Sequence, residues 1–160
     1  AIVIDLFNRA WSDNWGFVPT TLAEGLDDLK KMRPVLQSDL ILFAEKEERP
    51  VGFSLSLPDI NQALRPLNGR LFPCNWLRLL RNLKRIDAIR VILMGVLKEY
   101  RQLGIDLSFY RQTAESAYRH GIHRAEMSWI LESNEAMNRV LRHINAEVTK
   151  SYAIYEKPIA

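Results

Sequence analysis

Downstream of residue 88 the sequence alternates between two hydrophobic periods, and this alternation restricts the fold more than any other feature. Ala88 to Val96 is an Ile-, Val- and Leu-rich run of the buried-strand type, and the residues from about Ile105 to His120 repeat as a helix. Arg124 to Leu131 reads as a strand, Asn134 to His143 as a helix and Glu147 to Tyr155 as a last strand. Strand, helix, strand, helix, strand implies a partly parallel sheet covered by helices. Upstream, Asp39–Glu45 and Pro50–Leu57 flank the polar turn Lys46-Glu47-Glu48-Arg49 and predict a hairpin, which makes the sheet mixed. The first of these two strands is too uniformly apolar to have a wet face.

The remaining segments read as helices and loops. Ile2 or Val3, Leu6, Phe7, Ala10 and Trp11 recur at helical spacing, so the chain opens on an amphipathic helix with no lead-in, as expected of a segment of a longer protein. Asn14-Trp15-Gly16-Phe17-Val18-Pro19 is a loop, after which Thr20 or Thr21 caps a helix that stops before Pro34. From Asn75 to Ile86 the apolar Trp76, Leu77, Leu79, Leu80 and Leu83 define one helix face, and Arg78, Arg81 and Arg85 the other.

Composition narrows the class. At 160 residues the chain is read as a single domain, 1–160, large enough to bury its own core. The single cysteine, Cys74, rules out an internal disulfide and a cysteine-built zinc site. His120 and His123 straddle a helix end, so no metal is expected. No apolar run approaches the roughly 20 residues of a membrane span. Asp5 interrupts the apolar start, no signal peptide is read, and the expected compartment is the cytoplasm. The net charge of +3 is small, yet residues 65–90 hold seven basic side chains against one acid. That local basic surface is either a solvated face or one that attracts an anionic membrane or nucleic acid.

The stretch Leu93-Met94-Gly95-Val96-Leu97-Lys98-Glu99-Tyr100-Arg101-Gln102-Leu103-Gly104-Ile105-Asp106 carries the chemistry. A buried strand ends and a basic loop with one glycine opens a long helix. Backbone N–H groups at a helix N-terminus form a site for a pyrophosphate. Gly104 permits close backbone approach. Gly95, inside a strand, marks a bulge or the close approach of something that is not protein.

Arg101-Gln102-Leu103-Gly104-Ile105, in this element order, resembles the pyrophosphate motif of the GNAT superfamily of acetyl-CoA-dependent N-acetyltransferases. Val96 and Tyr100 match that family's strand-end valine and pre-motif aromatic, and Asn134-Glu135-Ala136-Met137 resembles its asparagine-led helix. The stretches Asn14–Pro19, Leu57–Gln62, Ser128–Glu132 and Tyr155–Pro158 are similar to a group of bacterial GNAT-type proteins of unassigned substrate, in which this region is the C-terminal part of a longer chain. There are departures. Asp106 stands in place of the motif's last small residue, Leu141 where many members carry an acidic tyrosine, and Asn145-Ala146 in place of Gly-Phe. The family's first strand has no counterpart.

The resemblance implies an α/β fold with a mixed, partly parallel sheet flanked by helices on both faces. It implies direct transfer of an acetyl group from acetyl-CoA, as co-substrate, to an amine. Met94, Gly95, Val96, Arg101, Gln102, Leu103, Gly104, Ile105, Asp106 and Asn134 would hold the coenzyme. Strands splayed around Gly95 and Trp129 would admit its pantetheine arm, and a strand N–H near Met94 or Val96 would polarise the thioester. Glu126, on one strand face with Ser128, is the candidate base against its reading as a salt-bridged strand residue. Tyr152 or Tyr155 is the candidate acid.

Trp15 and Phe17 would lie over the acceptor, or else anchor their loop. Asp59, Asn61 and Gln62 would end a strand close to the same place and orient a polar amine, or cap the next turn. The expected partners are a small-molecule or peptide amine and, through an open sheet edge, a second copy of the chain. A membrane partner is not expected and nucleic acid is disfavoured. The alternative function is a GNAT-like domain that binds a ligand or partner without turnover.

Overall fold

Ile2–Trp11 forms the first helix, α1, in the computed structural model, which describes residues 2–157. Thr21 caps α2 (Leu22–Met32) through a reciprocal capping box with Glu24, an arrangement worth about 1 kcal/mol. The hairpin follows as β1 (Ile41–Lys46) and β2 (Arg49–Pro58). A short α3 (Asn61–Leu64) and α4 (Asn75–Leu83) lead to β3 (Ala88–Val96). The second half continues with α5 (Ile105–Arg119), β4 (Arg124–Met127) and α6 (Glu135–His143).

The four strands form one sheet in the order β1-β2-β3-β4, antiparallel except for the parallel pair β3–β4. The mixed sheet read from the two periods is therefore present. Helices cover both faces. A Cβ placed on Gly95 would lie 2.9 Å from Ala10 of α1, whereas one on Gly52, which pairs with the next residue Val96 and so points to the other face, would lie 3.4 Å from Phe109 of α5. Leu6, Phe53 and Leu97 form the core under α1, and Leu40, Ile89, Ala117 and Ile122 the core under α5.

Several expectations change. β1 is an edge strand whose Phe43 is exposed, so it does have a wet face. β4 stops at Met127, four residues before the predicted end. Residues 147–155 pair with no strand, and Val148, Ile154 and Tyr155 face water. Alternation of apolar residues makes a strand only where a ladder partner satisfies its backbone. The chain divides into two compact units, one ending at Ser128 and the other beginning at Trp129. In the second unit, α6 is capped by Asn134, whose Oδ1 accepts from the Met137 N–H, and Trp129 stacks obliquely near Tyr152.

Candidate active site

The two halves of β3 have different neighbours. Between Ala88 and Val91 it lies between β2 and β4, and the parallel ladder closes with the Ser128 N–H donating to the Val91 carbonyl at 3.1 Å. Beyond that point only β2 accompanies it. Leu55 faces Leu93 and Ser56 faces Val91, so Ile92 is an extra, bulged residue. The bulge reverses the strand's alternation. The Leu97 N–H donates to Val51 of β2, which turns the backbone groups of Met94 and Val96 away from β2 toward the open edge. Their carbonyls are occupied: Trp11 Nε1 donates to Met94 at 3.0 Å and Arg101 Nε to Val96 at 3.1 Å. Their N–H groups have no partner among the described residues.

The packing of protein around Gly95 requires a glycine there. An added Cβ would collide with Ala10 and with the Phe53 ring, both at 2.9 Å, and the bulge itself is at Ile92. The small residue lets α1 lie close enough for Trp11 to reach the strand edge.

The loop after β3 makes a second set of donors. Gln102 and Gly104 both take left-handed conformations, at φ 68° and 75°. Such reversals point successive N–H groups into one concavity. From Gln102 to Leu107 no backbone N–H has a partner among the described residues, and the ladder of α5 begins with Ser108 donating to Gly104 at 3.1 Å. These groups and the positive end of the helix dipole suit a phosphate. Arg101 does not reach into this concavity. Its guanidinium ties the strand end to α1, donating to the Ala10 carbonyl at 2.8 Å as well as to Val96. Asp106 is half-buried in the first turn. Burial, and then the charge of Asp106, push the Tyr110 phenol up to about 12, so it remains a neutral hydrogen-bonding group.

The sequence-derived residues fall into groups. Met94, Gly95, Val96 and Arg101 to Asp106 come together at the C-terminal end of β3. The loop carrying Trp15 and Phe17 is fastened to the same end by an ion pair between Asp13 and Lys98. Phe17 packs edge-on against Phe7 at 5.5 Å and anchors the loop, whereas Trp15 is 71% exposed. Asp59 and Asn61 are not there. Pro58 pairs with Ile89, so this polar turn sits at the opposite end of the antiparallel pair, roughly 20 Å away along the strand. Asp59 accepts from the Asn61 backbone and side-chain N–H groups at 3.3 and 3.0 Å, and Gln62 accepts from the Asp87 N–H. That is the turn-capping reading, and the expected grouping with Trp15 and Phe17 is corrected.

Glu126 stands level with Arg90, and its carboxylate accepts from that guanidinium at 3.1 Å. It lies four residues along the strand, about 13 Å, from Met94. Ser128 occupies the fork where β4 leaves β3. Asn134 and Tyr152 belong to the second unit, where Asn134 caps α6 and Tyr152 is exposed beside Trp129. Trp11 and Ile92 are the features sequence reasoning missed. An indole N–H on a packed helix face needs a partner, and that was the available signal for Trp11. A cavity of about 280 Å³ also lies between β1 and α5, lined by Phe43, Lys46, Tyr100, Leu103 and Phe109, at the far edge of the sheet from the open part of β3. No group of side chains suited to a metal occurs among the described residues.

A forked parallel pair followed by a donor-lined loop at a helix N-terminus defines a class: the chain has the fold of the GNAT acetyltransferases. Two solved structures carry the likeness. Aminoglycoside 6'-N-acetyltransferase AAC(6')-Ih from Acinetobacter baumannii is 14% identical and covers all of this chain and 92% of its own, with a TM-score of 0.61. AAC(6')-Iy, solved with the bisubstrate analogue CoA-S-monomethyl-acetylneamine, is 16% identical over 98% of this chain and 90% of its own, also at 0.61. Sequence relatives are closer. The chain is 37% identical over 97% of its length to a bacterial ceramide synthase of Caulobacter vibrioides, and 41% identical over 99% to protein YghO of Escherichia coli. It spans 42% of the length of each of these two relatives. No protein-family model matches the chain.

Proposed function

We propose that this chain transfers an acyl group from a coenzyme A thioester to an amine. One observation carries the reading: the unpartnered N–H groups of Met94 and Val96 on the open edge of β3 lead directly into the donor-lined loop from Gln102 to Leu107. The loop would take the pyrophosphate. The strand N–H groups would hold the pantetheine arm and polarise the thioester carbonyl as charge builds on its oxygen. The amine attacks the carbonyl carbon, the C–N bond forms and the C–S bond breaks. A free thiol titrates near 8.5, so the sulfur leaves as thiolate without needing Tyr152 or Tyr155 as an acid.

An alkyl ammonium of pKa about 10.4 must first lose a proton. Glu126 is engaged by Arg90 and stands below the open edge, which favours solvent water over Glu126 as the base. Glu126→Gln is then expected to leave the pH profile of the rate unchanged, and a profile displaced by the substitution would restore Glu126 to that role.

The sequence relative named a ceramide synthase supports a long-chain amino alcohol as the amine and a fatty acyl thioester as the donor. The free Trp15 and Val18, exposed on the loop at the same end of β3, suit an apolar acceptor. The structural neighbours favour acetyl-CoA and a polar amine, at far lower sequence identity. Thiol release settles the choice, measured with acetyl-CoA and palmitoyl-CoA against sphinganine and an aminoglycoside. Release with palmitoyl-CoA and sphinganine supports the lipid reading. Coenzyme A at about 100 times its Kd should add ~2.7 kcal/mol and raise the melting midpoint by roughly 5–10 °C. A shift without thiol release from any pair would leave a binding domain.

A further inference from the structure

α4 segregates its side chains yet buries none of them fully. At about 100° per residue, Asn75, Leu79 and Asn82 fall on one side. That side faces the protein: Leu79 is half-buried and Asn82 Nδ2 donates to the Ala63 carbonyl of α3 at 3.3 Å. Next round the helix come Leu83, Trp76, Leu80 and Leu77, all open to water, with Leu77 at 55% and Leu80 at 53% exposure. Phe72, three residues before the helix, is also open to water, at 78% exposure. The rest of the circumference is Arg78 and Arg81, and Lys84 and Arg85 follow in the turn that ends the helix. None of these four cations forms an ion pair among the described residues.

We propose that α4 and the turn before it dock this protein in the headgroup layer of an anionic lipid membrane. Charge and hydrophobicity together select that occupant. A nucleic acid would pair with the arginines but offers nothing that would bury three leucines and a tryptophan. A second copy of the chain would cover the leucines but set four cations against four, with no acid on either helix to neutralise them. A bilayer surface satisfies both faces. The apolar strip enters the acyl boundary, the tryptophan ring lies at headgroup depth, and the guanidinium groups bond lipid phosphates. Lys84, at the end of the helix, reaches the headgroups by extending its stem. The proposal departs from the expectation that a membrane is not a partner. The helix is far too short to span one, so the binding is interfacial and reversible.

The proposal stands apart from acyl transfer, because vesicle binding is read with no coenzyme or amine present. The test is co-sedimentation of the protein at its natural full length with vesicles of phosphatidylcholine alone and of phosphatidylcholine with about one-third phosphatidylglycerol. Binding to the anionic vesicles, weakened by salt, is expected. The double variant Leu77→Ser, Leu80→Ser should lower partitioning by roughly tenfold per leucine. Arg78→Gln, Arg81→Gln and Arg85→Gln together should lower it about fivefold per charge on anionic vesicles. Both variants should keep the wild-type melting midpoint, since they alter only exposed side chains. Three results would each overturn the proposal: wild-type protein that stays in the supernatant with anionic vesicles, binding that neither variant changes, or leucine substitutions that lower the midpoint or dissociate an oligomer instead.

Discussion

α5 and α4 are both amphipathic, but the helix with the cleaner separation of apolar from charged residues is the one that stays uncovered. α5 mixes polar groups into its inner stripe and still buries Phe109, Thr113, Ser116 and Ala117 against the sheet. α4 divides sharply into leucines and arginines and buries no side chain completely. Their ends differ as well. The last turn of α5 is paired, with Asp39 meeting both Arg119 and His120, whereas the cations of α4 have no acidic partner among the described residues. Segregation in a sequence reports that a face favours leaving water. It does not say that the same folded chain provides the cover.

Substitution at matched apolar positions gives the largest separation. Phe109→Ala opens a cavity under α5 and should destabilise by about 3–5 kcal/mol. Leu80→Ser, on α4, should stay within about 0.5 kcal/mol because its site is already wet. Denaturant melts of the two variants compare the helices directly. A cost above about 1.5 kcal/mol at Leu80 would mean that the α4 face is covered in solution, and the contrast would fail.

Next in size is Gly95→Val. The added atoms meet Ala10 and Phe53, so overpacking of about 1–3 kcal/mol is expected, with α1 pushed off the strand edge. Because Trp11 reports on that edge through its bond to Met94, its fluorescence should change together with stability. A variant as stable as wild type would show that α1 is not held closely there.

Gly104→Val tests the N-terminal end of α5. Nothing crowds a Cβ at Gly104, but its φ of +75° is strained for a β-branched residue, at about 1–2 kcal/mol. If the donor-lined loop holds the pyrophosphate, affinity for coenzyme A should fall at least tenfold, well beyond that loss of stability. An unchanged affinity by calorimetry would separate this loop from coenzyme binding.

Much of this arrangement was legible because the signals were local. The run from Ala88 to Val96, the glycine before a long helix and Gly121 at its end, where φ is +72°, need only neighbouring residues to be read. What was not legible depends on pairing. Asp59 and Trp15 look equally close to the open edge until antiparallel pairing of Pro58 with Ile89 sends the first to the other end of β3. The Ile92 bulge has no mark in composition, since any aliphatic residue can be the unpaired one. The segment 147–155 has the right alternation and no ladder to join. Glu126 was identified as a strand carboxylate, but whether it titrates substrate or binds Arg90 depends on what stands opposite, and the sequence does not state a register.

The smallest expected effect is on pH dependence, at the paired end of α5. Burial pushes the Asp39 carboxyl upward, but the hydrogen bond and charge of His120, together with Arg119, outweigh it and hold the group below its ordinary 3.8. A carboxyl with a depressed folded value stabilises the fold at pH above the unfolded value, and that contribution disappears as pH falls through the folded one. Asp39→Asn should therefore lower the melting midpoint slightly at pH 5–6, by an amount corresponding to less than about 1 kcal/mol for so accessible a pair. As pH falls through the lowered folded value, the variant and the wild type should converge. α4, with no acid beside its cations, has no comparable acid-side term, so Arg81→Gln should leave the midpoint unchanged across the same range. If the Asp39→Asn difference persisted undiminished at pH below the folded value, the contact would be a packing or hydrogen-bonding one rather than an ionic one, and the electrostatic half of the contrast between the two helices would be lost.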